Sequence, residues 1–176
     1  YAVTLASPKG GQPPLDPKSD VAESQTDDTR RFQADAAATK ALANTAPLSA
    51  VDAGAYDAIF YPGGHGPLWD LVDDARSKAL IEAFWAAGKP VGAVCHGPIV
   101  LRDARDANGQ PIVAGRRVTA FTNAEEAAVE LTDVVPVSVE DALKAQCGAY
   151  EAAGLFEAKE VADGMLETGQ QQPSSA

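Results

Sequence analysis

The chain contains few cysteines and histidines, two of each among its 176 residues. Cys95 and Cys147 lie 52 positions apart, and one such pair does not make the disulfide framework typical of small secreted domains. Both thiols are therefore predicted to be free, which favours a reducing cytoplasm as the location. His65 and His96 are too few and too widely spaced to indicate a metal site, so no metal is predicted.

Basic residues are also scarce, with 14 lysines and arginines against 25 aspartates and glutamates. The resulting net charge of −11 repels nucleic-acid phosphates and anionic membrane surfaces. No apolar run approaches the ~20 residues that a membrane span needs. We therefore expect neither nucleic acid nor a membrane as a partner. The length and the 45% hydrophobic content predict one globular domain over residues 1–176.

Strand and helix patterns alternate through the middle of the chain. "DAIFY" and "VGAVC" are short apolar runs, typical of strands that are covered on both faces in a parallel sheet. Between them, Leu80, Ile81, Phe84 and Trp85 have helical spacing, so the order strand, helix, strand predicts an α/β fold. Further predicted elements are a helix over residues 28–43, a helix capped by Asn123, a strand in "TDVVPVS" with a helix after it, a hairpin with a type I′ turn at Asp163-Gly164, and an unstructured tail "QQQPSSA".

Cys95 lies where the apolar strand of "VGAVCHGPIV", residues 91–100, meets a predicted helix. Strand, nucleophile, glycine and helix in this order are typical of a nucleophile elbow, a sharp turn that lifts one side chain above a parallel sheet. The amino end of the helix favours thiolate over thiol, so we predict a reactive thiolate near neutral pH. The alternative is a small buried hydrophobic cysteine, and this is our interpretation of Cys147.

A glycine pair precedes the other histidine in "PGGHG". Gly63 and Gly64 leave the backbone N–H groups near His65 free to face a ligand, as an oxyanion hole requires. An ordinary loop histidine is the alternative at this position.

Three segments, "YDAIFYPGGHGPLWDL", "GKPVGAVCHGPIVL" and "VTAFTNAEEAAVEL", together resemble the ThiJ/PfpI superfamily, which is related to class I glutamine amidotransferase domains. The resemblance is greatest to its glutathione-independent glyoxalase branch, also called glyoxalase III or the heat-shock-31-like proteins. It implies a flavodoxin-like three-layer α/β sandwich with a mainly parallel sheet. Against this family the chain is expected to be incomplete at both ends and to lack the first strand and helix. That helix carries a proton-shuttling glutamate, so we expect low activity from this chain alone.

The resemblance also implies roles for residues of the two glycine-containing motifs. Cys95 resembles the family nucleophile and His96 the neighbouring general acid/base. Gly64 and the backbone of His96 resemble the oxyanion donors. The same oxyanion and substrate-binding region is expected to include Gly63, His65 and Gly97.

The third member of the implied triad is an acid in "NAEEAAV". The family position points to Glu126, with Glu125 as the near alternative. Without the resemblance, either residue would be interpreted as a solvated acid at the dipole-favoured end of a helix.

The implied function is conversion of methylglyoxal, or another 2-oxoaldehyde, to lactate or the corresponding 2-hydroxy acid through a cysteine hemithioacetal. This is a lyase of the D-lactate dehydratase class that needs no cofactor, and the expected assembly is a homodimer. Four alternatives stay open: a stress-responsive holding chaperone, a protein or nucleotide deglycase, a cysteine amidase or peptidase, and a redox sensor that uses an oxidisable thiolate.

Overall fold

The computed structural model describes residues 2–175. They divide into two compact units, one up to Val51 and one from Asp52 onward. The single-domain organisation expected from the chain length stays a prediction.

The first unit contains two short helices and a small parallel ladder. Its elements are β1 (Ala6–Ser7), α1 (Asp27–Ala34), α2 (Ala36–Ala43) and β2 (Ala46–Pro47), with 3₁₀ turns at Pro17–Ser19, Ala22–Ser24 and Leu48–Ala50. β1 and β2 pair in parallel.

The single helix predicted over residues 28–43 is wrong, because two helices meet at Asp35. This residue has an extended backbone, with φ of −86° and ψ of 101°. Its carboxylate accepts hydrogen bonds from the N–H groups of Ala37 and Ala38, at 2.9 and 3.1 Å. A side chain that satisfies the free N–H groups of a first turn starts a new helix, so Asp35 ends α1 and caps α2.

The second unit is built on a four-stranded sheet. Its elements are β3 (Ile59–Tyr61), α3 (Ala75–Ala86), β4 (Val91–Val94), β5 (Arg117–Val118), α4 (Asn123–Ala128), α5 (Val139–Lys144), β6 (Ala149–Tyr150), β7 (Glu160–Asp163) and β8 (Leu166–Gly169). The strand order is β3-β4-β8-β7, in which β3, β4 and β8 are parallel and β7 is antiparallel to β8. β5 and β6 form a separate parallel pair. The predicted α/β fold with mainly parallel strands is confirmed.

The core of this unit lies around β4, whose four residues are all buried. Ile81 and Phe84 of α3 belong to the same buried cluster as Val91 of β4, so the helical spacing in the sequence does mark a buried face. The expectation that "DAIFY" is also covered on both faces is wrong. β3 is the edge strand of the described sheet, and Phe60 is 55% exposed there.

The helices of the described residues are short, with 12 residues in the longest, α3. None of these helices combines the length and the apolar character needed to cross a membrane.

The strand predicted in "TDVVPVS" is wrong. The N–H groups of Val134 and Val135 both donate to the carbonyl of Leu131, so the segment folds into turns. Pro136 has no N–H group and could not join a ladder at this point. The helix predicted after it is confirmed as α5, which begins after Ser138, whose hydroxyl accepts from the N–H of Asp141.

The predicted hairpin is confirmed, but its turn type is not. Asp163 lies opposite Leu166, so the loop consists of Gly164 and Met165. Only Gly164 of this pair has a positive φ, +66°, which fits a type II′ turn, whereas type I′ needs positive φ at both positions. Asp163 stays in the strand, where its carboxylate accepts the N–H of Arg117 at 3.0 Å.

The tail predicted to be unstructured instead contains a 3₁₀ helix at Gln172–Ser175. The hydroxyl of Ser174 accepts the N–H groups of Lys159 and Gln171, at 3.0 and 3.3 Å, which ties this helix to the sheet edge. Residue 176, the last of the predicted tail, lies outside the described residues.

Candidate active site

Cys95 follows β4 directly and has a φ of +62°, uncommon for a residue with a side chain. Two backbone hydrogen bonds hold it there: its N–H donates to the carbonyl of Gly169 at 2.8 Å, and its carbonyl accepts the N–H of Phe121 at 2.9 Å. Strained backbone of this kind persists only where neighbouring structure enforces it. The sharp turn is that of the predicted elbow, but the helix after it is a 3₁₀ helix, Gly97–Leu101, and not an α-helix.

Gly63 and Gly97 allow the backbone to approach the elbow closely. A Cβ atom at Gly63 would lie 2.6 Å from the Cβ of Cys95, and one at Gly97 would lie 2.6 Å from the carbonyl oxygen of Tyr61. Carbon atoms cannot approach that closely without displacement, so both positions require glycine for packing. Gly63 therefore packs directly against the nucleophile, and Gly97 packs against the backbone of Tyr61 on the neighbouring strand β3.

The Cys95 thiol is buried, with 6% of the residue exposed. Burial raises the pKa of the Cys95 thiol to about 11. The backbone N–H groups of Gly64 and His96 act in the opposite direction, and the negative charges of Glu125 and Glu126 raise the pKa further. Burial therefore opposes the thiolate that the elbow pattern predicts near neutral pH, and that thiolate stays a prediction. A five-residue 3₁₀ helix has too small a dipole to offset the loss of water around the sulfur.

His96 is almost fully enclosed, and both of its ring nitrogens have partners. Nδ1 lies 3.4 Å from the Cys95 sulfur, and Nε2 lies 2.7 Å from Oε2 of Glu126. Burial lowers the pKa of His96, although its hydrogen bond to Glu126 acts in the opposite direction. With Glu126 ionised, Nε2 carries the hydrogen and donates it, which leaves the Nδ1 lone pair for the thiol proton. Nucleophile, base and orienting acid form one continuous chain.

Glu126 has a second imidazole partner, because its Oε1 lies 2.9 Å from Nε2 of His65. The rings of His65 and His96 have centroids 4.0 Å apart. Sequence reasoning assigned His65 to the site through its backbone and missed this side-chain contact. His65 and Glu126 lie 61 positions apart, so no local pattern could have indicated their contact.

Glu125 is fully buried and has a different set of partners. It accepts hydrogen bonds from the N–H and hydroxyl of Thr122, the N–H of Phe156 and the side-chain amide of Gln170, all between 2.8 and 2.9 Å. Burial alone would raise the pKa of this carboxyl, but the donors outweigh it and hold the pKa below its usual value. Glu125 is thus a buried anchor for the surrounding loops.

The helix that carries both acids begins one residue earlier than predicted. Thr122, not Asn123, is the N-cap, because the Thr122 hydroxyl accepts the N–H of Glu125 in a capping box. The side chain of Asn123 instead donates to Asp141 and accepts from Ser138. This cap sets the phase of α4 and hence the directions of the two adjacent carboxylates.

Phe121 forms the apolar wall of the site, and sequence reasoning missed it. Its ring centroid lies 4.3 Å from that of His96 and 6.2 Å from that of His65. Together with Val94 and Cys95 it forms a small buried cluster. In the sequence it resembles any core aromatic residue at the end of a strand.

The fold places three groups together that are typical zinc ligands. Nε2 of His65, Nε2 of His96 and a carboxylate oxygen of Glu126 all lie within 4.8 Å of one another. Residues distant in the chain thus meet here, which their spacing did not indicate, and the expectation of no metal stays a prediction. The nitrogen-to-oxygen distances of 2.7 and 2.9 Å are hydrogen-bond lengths, and we interpret the group as a carboxylate that bridges two imidazoles.

Comparison with known proteins adds a family and a set of relatives. The sequence profile of the DJ-1/PfpI family matches residues 2–171. Glyoxalase 3 of Candida albicans is 30% identical over 135 residues, which are 73% of this chain and 57% of that protein. The glutathione-independent glyoxalase HSP31 of Saccharomyces cerevisiae is 30% identical over 149 residues, 81% of this chain and 63% of that protein. The chain thus spans less than two thirds of the length of these relatives.

Solved structures of similar proteins have the same fold. The crystal structure of glyoxalase III from Candida albicans matches with a TM-score of 0.89 and 26% identity, over 99% of this chain and 76% of that one. The 24 kDa Rapid Encystment Protein of Francisella tularensis matches with a TM-score of 0.83 and 37% identity, over 92% of this chain and 71% of that one. The flavodoxin-like α/β fold predicted from the sequence is confirmed.

Proposed function

Since the chain belongs to the DJ-1/PfpI family, we propose that it converts methylglyoxal and related 2-oxoaldehydes to 2-hydroxy acids without glutathione. The observation that carries the proposal is the continuous chain from the Cys95 sulfur through His96 to Glu126. The names of two relatives, Glyoxalase 3 and a glutathione-independent glyoxalase, support this substrate class.

The first step is addition of Cys95 to the aldehyde carbon. Because burial favours the protonated sulfur, Nδ1 of His96 takes the thiol proton as the carbon–sulfur bond forms. Glu126 stabilises the imidazolium that results. The backbone N–H groups of Gly64 and His96, which act to lower the pKa of the Cys95 thiol, would hold the aldehyde oxygen as it gains negative charge. Return of the proton to that oxygen gives a hemithioacetal.

The second step is an internal oxidation and reduction. The hydrogen on the former aldehyde carbon moves to the neighbouring ketone carbon through an enediolate, and the hydroxyl proton moves to the ketone oxygen. The first carbon becomes a thioester and the second an alcohol, so no external oxidant or cofactor takes part. Water then attacks the thioester, the acid leaves, and His96 returns a proton to the sulfur of Cys95.

The test is lactate production from methylglyoxal by the purified chain in the absence of glutathione, followed by NMR. The substitution Cys95→Ser should abolish lactate, and Cys147→Ser is the matched control that should leave it unchanged. Lactate formation that survives Cys95→Ser would contradict the proposal. Turnover of amide or peptide substrates, with none of methylglyoxal, would favour the amidase alternative.

The chaperone and deglycase alternatives are separated by the same variants. A holding chaperone acts through exposed apolar surface, so its suppression of aggregation would be insensitive to Cys95→Ser. A deglycase would release lactate from glycated proteins or nucleotides faster than from free methylglyoxal. A cytoplasmic location and a homodimeric assembly stay predictions from the sequence.

A further inference from the structure

Of the two imidazole rings in the site, that of His65 is the more exposed to solvent. It is 25% exposed at its side chain, whereas the side chain of His96 is 1% exposed. Its Nε2 contacts Glu126, and across residues 2–175 its Nδ1 has no hydrogen-bond partner. With Glu126 ionised, Nε2 is the nitrogen that carries hydrogen, so Nδ1 presents a free lone pair.

During addition of the thiol, both ring nitrogens of His96 are engaged. Its Nδ1 serves the Cys95 sulfur, and its Nε2 is held by Glu126. A group that moves a hydrogen between two substrate carbons must come within hydrogen-bonding reach of both. Nδ1 of His96 becomes a base again once its proton has passed to the hemithioacetal oxygen, so a further acid/base group beside the same carbons would share the second step with it.

His65 is also close to the reacting sulfur. A Cβ atom at Gly63, two residues before His65, would lie 3.3 Å from the Cys95 sulfur, so the backbone of this loop packs against the thiol. The His65 ring lies 4.0 Å, between centroids, from the ring of His96, whose Nδ1 is 3.4 Å from that sulfur. A substrate attached to Cys95 would thus lie beside an oriented imidazole.

We infer that His65 is a second catalytic base and acid, which takes the proton from the sulfur-bearing carbon and returns it to the neighbouring carbon. This inference rests on the proposed function and extends it. Nδ1 of His65 removes the proton as the electron pair of the carbon–hydrogen bond moves into the enediolate. The hydroxyl proton passes from the first oxygen to the former ketone oxygen, and the His65 imidazolium donates its proton to the second carbon while the electron pair left on the first oxygen forms the thioester carbonyl. No atom or electron is gained or lost.

Glu126 can serve both steps, because its one carboxylate contacts the rings of both His96 and His65. It stabilises an imidazolium at His96 during addition and one at His65 during proton transfer. Two adjacent imidazolium ions would repel each other, so the two rings are charged in turn. The described titratable groups around His65 are His96, Cys95, Glu126 and the more distant Glu125.

The first measurement is the ring tautomer, which needs no substrate. The chain has only two histidines, so long-range ¹H–¹⁵N spectra of the wild type and of His65→Gln assign both rings directly. We expect hydrogen on Nε2 of His65 above the pH at which the ring is protonated. Hydrogen on Nδ1 instead would remove the lone pair that the inference requires and would overturn it.

The second measurement is turnover of methylglyoxal by His65→Gln, whose amide can still donate to Glu126 but cannot accept a carbon-bound proton. We expect kcat to fall by about 10²-fold or more and KM to change by less than about threefold. Substrate deuterated at the aldehyde carbon should give a larger isotope effect in the variant than in the wild type. Alkylation of Cys95 by iodoacetamide should proceed at the wild-type rate, because the nucleophile and His96 are unchanged.

Trp69→Phe is the matched control, since Trp69 is 55% exposed and lies at the other end of the 3₁₀ turn Gly66–Leu68, which begins after His65. It should behave as the wild type. Unchanged kcat in His65→Gln would overturn the inference, and so would an equal loss of turnover and of Cys95 alkylation, which indicates a structural role. A wild-type chain that makes no lactate would instead refute the proposed function, and the inference with it, whatever the tautomer.

Discussion

Glu125 and Glu126 are consecutive residues of one helix, and their carboxylates point to different partners. Oε2 of Glu126 lies 2.7 Å from His96, whereas Glu125 accepts four hydrogen bonds from Thr122, Phe156 and Gln170. Consecutive helical side chains diverge by about 100°, so only one of the two can face the nucleophile. Glu126 therefore serves the chemistry of the site, whereas Glu125 stabilises the segments around it.

The first prediction concerns the orienting acid. Glu126→Gln should lower methylglyoxal turnover by about 10²-fold or more, because the amide cannot stabilise an imidazolium at His96 or His65. Glu125→Gln, compared at a temperature where both variants are folded, should lower turnover by less than about threefold. Steady-state kinetics of the two variants provide the comparison, and equal losses would contradict the assignment.

The second prediction concerns stability. Glu125→Gln should lower the free energy of unfolding by about 1–3 kcal/mol, because its amide group would face a backbone donor and leave it unsatisfied. Glu130→Gln, an exposed position after the same helix, is the control and should change little. Urea denaturation at neutral pH measures both differences. A Glu125→Gln variant as stable as the wild type would contradict the anchor role.

The same variant has a defined pH dependence. The pKa of Glu125 is lowered in the folded chain, so the fold favours its charged form. The contribution of the Glu125 carboxylate to the free energy of unfolding is fully present above the pKa of about 4.3 that a glutamate has in the unfolded chain. It is lost as the pH falls through the lower pKa of Glu125 in the folded chain. The stability difference between wild type and Glu125→Gln should therefore shrink below about pH 4. A difference that stays constant into acid would show that charge is not the cause.

The third prediction concerns the resting thiol. In a Cys147→Ser background, the rate of Cys95 alkylation by iodoacetamide should rise continuously from about pH 6 to about pH 10, because only the thiolate reacts. The physical reason is the burial that raises the pKa of Cys95 to about 11. A rate that reaches its plateau below about pH 7 would restore the thiolate expected from the elbow pattern.

The fourth prediction concerns the glycine packed against the nucleophile. Gly63→Ala should destabilise the chain by about 1–3 kcal/mol and lower turnover, because its Cβ would lie 2.6 Å from the Cβ of Cys95. Gly66→Ala is the matched control in the same loop, where a Cβ would meet nothing within 4 Å. Thermal unfolding and kinetics of both variants test this, and equal behaviour would contradict the close approach.

Several features could be read from the sequence because they depend on local chemistry. The apolar run before Cys95, the glycine after it and the proline that follows predict a sharp turn after a buried strand. The Asp-Gly pair near the end predicts a hairpin in the same way, although the choice of loop residues depends on a hydrogen bond from Arg117 to Asp163. Local patterns gave a wrong prediction where a side chain could take either of two roles. Asp35 could lie within one long helix, but in the structure it caps a new one.

By itself, the sequence determined the order of strands and helices around the elbow and the adjacency of Cys95 and His96, because apolar periodicity and turn chemistry act between neighbouring residues. Tertiary structure alone decided which glutamate faces His96, since that depends on the phase set by the Thr122 cap. It also brought His65 to the same carboxylate across 61 positions. It also buried the thiol, which acts to raise the pKa of Cys95, because the loss of water around a sulfur is a property of the packed chain and not of any motif.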